Sequence, residues 1–293
     1  MYNRNTLLII ALIATSVAAL KVSKTSSKDA LRIYQGIDAD PSKYPYIVAL
    51  IKYSPTIQYR GCTGSLITPT WVLTAAHCVK DEVTFIQYGN MSLEFRQTSS
   101  KSLVLQIVKH PRYFRHTSVW INDIALLRVE PVSILMYGAL SAIDYRTLVG
   151  HAIEYAGYGI TFAPDHSIPN KFKRKKFDLT RRPLQIASGV VTSCDGKFAE
   201  NFICLSNKCS KKQHVSSGDS GGPLLFSDKI TGVAALYGPK IIEGAYTPVS
   251  PYLEWIQQII ILFFFTLLIE MEPHGKHQLS NKPKDNQKIK QTN

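Results

Sequence analysis

The chain has 293 residues, 45% of them apolar, and 34 Lys and Arg against 21 Asp and Glu give a formal net charge of +13. That apolar share excludes a chain disordered throughout, and the length suits one large or two small cores. The basic balance invites an acidic partner, but no nucleic-acid-binding motif accompanies it, so nucleic acid is not an expected partner.

The N-terminus, residues 1–19, carries Arg4 near its start, an apolar run from Leu7 to Ile13 and a small-residue end at Val17-Ala18-Ala19. This predicts a cleaved secretory signal and a secreted, extracellular protein. In that compartment the five cysteines pose a disulfide question, and they cannot all pair within the chain. From Pro45 to Val249 short runs rich in Val, Ile and Leu alternate with turn signals: Ile47 to Ile51, Trp71 to Thr74, Leu103 to Val108, Ile124 to Val129, His151 to Ala156, Pro223 to Phe226 and Gly232 to Leu236. Repeated short strands without a long helical period predict an all-β sandwich or barrel.

Three segments among these runs carry chemistry. Thr74-Ala75-Ala76-His77-Cys78 offers an imidazole beside a cysteine, and Asn122-Asp123-Ile124-Ala125-Leu126-Leu127 offers a carboxylate leading into an apolar strand. Gly218-Asp219-Ser220-Gly221-Gly222-Pro223 places a serine in a glycine-lined turn with an acid before it. Serine is a weak nucleophile by itself, so it needs a base and a group that orients the base. Alone, each segment is more often structural; together they supply a nucleophile, a base and an orienting acid.

Elsewhere Asn90-Met91-Ser92 is a sequon that predicts glycosylation of Asn90. Lys171, Lys173, Arg174, Lys175, Lys176, Arg181 and Arg182 read as a solvated loop, with binding of a sulfated polysaccharide or acidic surface as the alternative. Ser250-Pro251 predicts a helix start, with serine at the N-cap and proline at the first helical position. Ile259 to Ile269 is almost wholly apolar, and 270–293 is a lysine-rich tail expected to be disordered. The apolar run is about 11 residues where a span needs roughly 20. A helix extension, docked on the core or in peripheral contact with a membrane through Ile259 to Ile269, is therefore favoured over a single-pass anchor or an aberrant gene end.

Taken in the order His, Asp, Ser, the three segments resemble the chymotrypsin/trypsin family of serine endopeptidases over about residues 33–258; other triad families use other orders. The resemblance implies two antiparallel six-stranded barrels, at about 33–140 and 141–249, a terminal helix from 250, and a site in the cleft between barrels. It assigns His77 as base, Asp123 as its orienter, Ser220 as nucleophile, and the backbone N–H groups of Gly218 and Ser220 as the oxyanion hole. Arg32-Ile33-Tyr34-Gln35-Gly36 resembles the family's activation site, with 20–32 as propeptide. Cleavage after Arg32 would free an ammonium on Ile33 to pair with Asp219. The resemblance also implies a Cys62 to Cys78 disulfide; Cys194 with Cys204 is the expected second pair, leaving Cys209 over, and by spacing Cys204 with Cys209 stays open. Expected partners are a polypeptide substrate and an activating protease, for a monomer with no cofactor and no metal. After Gly89 the only nearby acid is Glu94, too few oxygens for a calcium loop.

Departures from the family pattern concern the substrate. His214 stands six residues before Ser220, at the expected floor of the primary pocket, where an Asp would select Lys and Arg; Gly238 and Gly244 align with its walls. Trypsin-like cleavage is therefore not expected: a neutral His214 would take aromatic or aliphatic groups, a protonated one acidic groups. Ser216 replaces a family cysteine whose partner is also missing, and Leu236, or Ala235 with another gap, stands where a serine usually supports the triad acid. These departures motivate a second reading, a catalytically weak homologue that acts as a binding or decoy protein.

Overall fold

The computed structural model describes residues 33, 36–40, 42–53, 58–79, 83–89, 100–116, 119–159, 183–195, 199–207, 213–238 and 241–271. The expected signal and propeptide with Arg32, the Asn90 sequon, the basic cluster at 171–182, Cys209 and the tail from 272 lie outside the described residues.

The strands in chain order are β1 Ile37–Asp38, β2 Ile47–Tyr53, β3 Gln58–Thr68, β4 Trp71–Thr74, β5 Val83–Gln87, β6 Lys101–Lys109, β7 Phe114–His116, β8 Val119–Ile121 and β9 Ala125–Val129. They continue with β10 Ala152–Gly157, β11 Gln185–Thr192, β12 Ile203–Asn207, β13 Pro223–Phe226, β14 Lys229–Gly238 and β15 Ile241–Pro248. Strands β2-β3-β4-β9-β6-β5 close an antiparallel barrel, and β11-β10-β13-β14-β15-β12 close a second through the β11 to β12 pairing. The all-β fold of two six-stranded barrels expected from the sequence is the fold observed. Closure removes sheet edges that would otherwise expose unpaired backbone groups.

β1 pairs with β11, so Ile37–Asp38 join the second sheet, although the expected first barrel begins at 33. A two-residue strand carries no pattern from which its partner can be read. Ile33 is fully buried among Tyr145, Leu148, Ile153, Tyr155, Val215 and Tyr246. In β2 every residue from Ile47 to Ile51 is buried. Such continuous burial marks a strand covered on both faces. The first core accordingly runs on into the second barrel through Ala156, Tyr158, Ile186, Leu225 and Val233.

A 3-10 turn at Ser250–Tyr252 leads into α1, Leu253–Met271. Pro251 occupies its first turn, but Val249 is the capping residue and no side chain caps the start. Ser250 therefore falls inside the turn rather than at its cap. α1 absorbs the whole apolar run and reaches Met271, past the expected tail boundary at 270. Its inner side packs through Ile256, Ile259, Ile260 and Phe263; Phe263 meets Trp71 edge to face at 5.8 Å, with the Arg128 guanidinium 3.9 Å from its ring centre. Among the described residues no helix is long and apolar enough to cross a membrane.

Candidate active site

His77 lies in the 3-10 turn Ala76–Cys78 that follows β4, and Asp123 precedes β9, the strand paired with β4. Adjacent strand ends of one barrel therefore deliver both side chains. The His77 backbone N–H donates to Asp123 Oδ1 at 2.8 Å, and Nδ1 lies 2.6 Å from Oδ2. A fully buried carboxylate must be paired, and these two bonds give each oxygen a donor. Because a carboxylate only accepts, Nδ1 carries the proton and Nε2 is left able to take one. Trp120, from β8, stacks on the His77 ring at 6.2 Å and 18°. Tyr113 stacks on Trp120 in turn, and the Arg115 guanidinium sits 5.1 Å from the Trp120 ring centre.

Asp123 is held from both sides of the chain. Asn122 adopts a left-handed φ of 51°, a conformation asparagine tolerates better than most residues. Its amide donates to Arg112 O at 2.7 Å, and its Oδ1 accepts from the Tyr252 hydroxyl at 2.9 Å. Burial pushes the Tyr252 phenol up to about 12, so it stays a donor. Thr247 Oγ1 donates to the Asp123 carbonyl. Ala235 and Leu236, the two candidates for the family's supporting serine, bring no side-chain donor, and His77 is the one residue bonded to the Asp123 carboxylate among the described residues.

Ser220 sits in the turn preceding β13, in the second barrel. One residue of the first barrel, Thr63, fixes that turn. Its N–H donates to Ser220 O at 2.8 Å, its Oγ1 donates to Gly218 O at 2.8 Å, and the same Oγ1 accepts from Tyr158 N at 3.0 Å. The Thr63 carbonyl accepts from Thr74 Oγ1 at 2.8 Å. Next in sequence, Cys62 is bonded to Cys78, the neighbour of His77, so two adjacent residues reach both halves of the site. Gly221 follows with φ 81°, and a Cβ there would lie 2.1 Å from Thr74 Oγ1 and 2.3 Å from Thr63 O. Only glycine allows this approach.

Asp219 is buried, its carboxylate accepting from Gly159 N at 2.6 Å and Ser216 N at 2.8 Å. A Cβ at Gly159 would sit 2.2 Å from its carboxylate. Gly218, with φ 101°, directs its carbonyl to Thr63. His214 is half-buried with Nδ1 3.0 Å from Val215 O, so that nitrogen carries the proton. Val215 is buried against Gly244, where an added Cβ would come within 2.8 Å of its methyl group. Gly238 closes the register of β14 on β15 opposite Ile241. The second disulfide joins Cys194 to Cys204. Cys62, His77 and Cys78 offer donor atoms within 4.8 Å of one another, but both sulfurs are committed to the disulfide and cannot hold a metal.

Local sequence strings point to His77, Asp123 and Ser220 but not to Thr63 or Trp120, which the structure sets against them. A lone threonine in a strand and a lone tryptophan in a hairpin have no spacing signature. Adjacency of Thr63 to Cys62 was the one signal available.

Comparison with known proteins gives a family and a fold. A family model described as Trypsin matches residues 33–256. The chain is 27% identical over 264 residues to anionic trypsin from Canis lupus familiaris, covering 87% of this chain and 98% of that one. It is 30% identical over 263 residues to phenoloxidase-activating factor 3 from Holotrichia diomphalia, covering 79% of this chain and 73% of the relative. Among solved structures, neuropsin, a serine protease expressed in the limbic system of mouse brain, superposes with a TM-score of 0.61 at 23% identity, over 77% of this chain and 99% of that one.

Proposed function

The chain belongs to the trypsin family of serine endopeptidases, and on that premise we propose that it hydrolyses peptide bonds through His77, Asp123 and Ser220 after cleavage at Arg32. Ser220 Oγ attacks the scissile carbonyl while His77 Nε2 takes its proton; the same nitrogen returns a proton to the leaving amine, and water then resolves the acyl-enzyme. Asp123 steadies the imidazolium, and the N–H groups of Gly218 and Ser220 receive the oxyanion. The observation that carries this reading is the 2.6 Å bond between His77 and Asp123, set beside a Ser220 turn tied to the same barrel through Thr63.

Activation has its own support. Ile33 is β-branched yet holds φ 36°, a strained torsion of the order of 1–3 kcal/mol. That torsion exists only while the bond to Arg32 is intact, so cleavage there releases it. The Ile33 side chain is already buried in the second barrel, where Asp219 is buried too. Pairing of the new ammonium with Asp219 would complete the site. His214 and Val215 support a preference for aromatic or aliphatic side chains over Lys and Arg, with secretion as the setting.

The second reading, a weak or decoy homologue, is favoured by the Asp123 carboxylate having His77 as its one bonded residue among the described residues. A fluorophosphonate probe separates the two. Arg32-cleaved protein should label at Ser220 and Ser220→Ala should not; a cleaved, folded wild type that resists labelling favours the decoy. Arg32→Gln should remain unlabelled, and a peptide library dominated by Lys and Arg would overturn the apolar specificity.

A further inference from the structure

The outward side of α1 changes character midway. At roughly 100° per residue, Ile256, Ile259, Ile260 and Phe263 share an arc about 100° wide. Ile256 is buried and the other three pack on the first-barrel core. The opposite side is exposed, and in the first turns it is polar: Glu254, Gln257 and Gln258, with Gln258 Nε2 donating to Glu254 Oε1 at 3.1 Å. From Ile261 the same side is apolar, with Ile261, Leu262, Phe264 and Phe265 exposed by 42, 63, 59 and 57%. A helix that is apolar all round is expected where neither side meets water. The packed side accounts for one surface; the outward side needs another.

We infer that the second half of α1 lies in the headgroup boundary of an anionic phospholipid bilayer, holding the protease at a membrane surface. Among the described residues no helix is long and apolar enough to span, so an exposed apolar face that meets a membrane lies along the interface. Immediately after it, residues 272–293 contain Lys276, Lys282, Lys284, Lys288 and Lys290 against Glu272 and Asp285. An apolar face followed in sequence by a lysine-rich segment supplies the two signals that stable surface anchoring needs, insertion and attraction to anionic headgroups. Charge argues against a second copy as the occupant: association would bring together two chains of net charge +13.

The inference rests on none of the triad chemistry, and full-length protein tests it by co-sedimentation with large unilamellar vesicles. Wild type should bind vesicles containing phosphatidylserine, bind phosphatidylcholine vesicles far less, and dissociate as salt rises. Leu262→Gln/Phe265→Gln should bind about tenfold less or weaker still. Both side chains are exposed, so its thermal unfolding and its cleavage of a soluble peptide should match wild type. Wild type left in the supernatant with both vesicles, or equal binding by the double variant, would overturn the inference. So would a dimer, seen by light scattering and dissolved by the double substitution, in a protein that ignores vesicles.

Discussion

Thr63 shows how few atoms set the geometry of this site. Its hydroxyl donates to Gly218 O and accepts from Tyr158 N, so removing it leaves a buried carbonyl and a buried amide each without that partner. Thr63→Ala should lower kcat about 10²-fold with KM little changed, because the loss lies in aiming the Ser220 turn rather than in holding substrate. Thr63→Ser should restore most of the rate, which a purely packing role for the methyl group would not allow. Asp123→Asn should cost about 10⁴ in kcat by disturbing the tautomer that Asp123 now dictates. Steady-state kinetics on the activated protein checks both. At this scale the proposed chemistry was legible because nucleophile, base and acid each sit in a distinctive local string. What supports them was not, since Thr63, Trp120 and Tyr252 act across long sequence separations that leave no pattern.

The most consequential element is α1 with the segment it clasps. His110 is buried, with Tyr252 and Trp255 edge-on to its ring at 5.1 and 5.0 Å. Burial, and then the nearby Arg112 charge, hold its imidazole below the ordinary value. The unfolded chain, with the ordinary value of about 6.5, therefore binds the extra proton first. Stability should be full above that pH and decline as pH falls through it, and His110→Phe should shrink the gap between urea midpoints measured on either side. Phe263→Ala, which removes the contacts with Trp71 and Arg128, should cost about 1–2 kcal/mol in denaturant melts, below the fully buried case because the ring is half-exposed. The seven apolar runs all fall in or over strands, since short β-branched runs between turns are a strong signal. The helix cap lies one residue before the expected Ser250, at Val249, because Pro251 fits either of the first positions.

For the molecule as a whole, the two-barrel plan was legible only through resemblance; periodicity alone stopped at all-β, and β1's partner had no local signature. The Cys62 to Cys78 bond closes a separation of 16 residues within the first barrel. Replacing both by Ala should lower stability by about 3 kcal/mol in thermal unfolding, the loop-closure cost returned to the unfolded chain. The dependence of the Ser220 turn on Thr63 also bears on when the protein becomes dangerous to the cell that makes it. A nascent chain emerges from its N-terminus, so the imidazole and the carboxylate leave the ribosome before residue 220. The Ser220 turn follows and docks on Thr63, and Tyr252 comes later still, to bond Asn122. A fragment of this chain that ends before Tyr252 therefore lacks the bond that holds Asn122 beside Asp123.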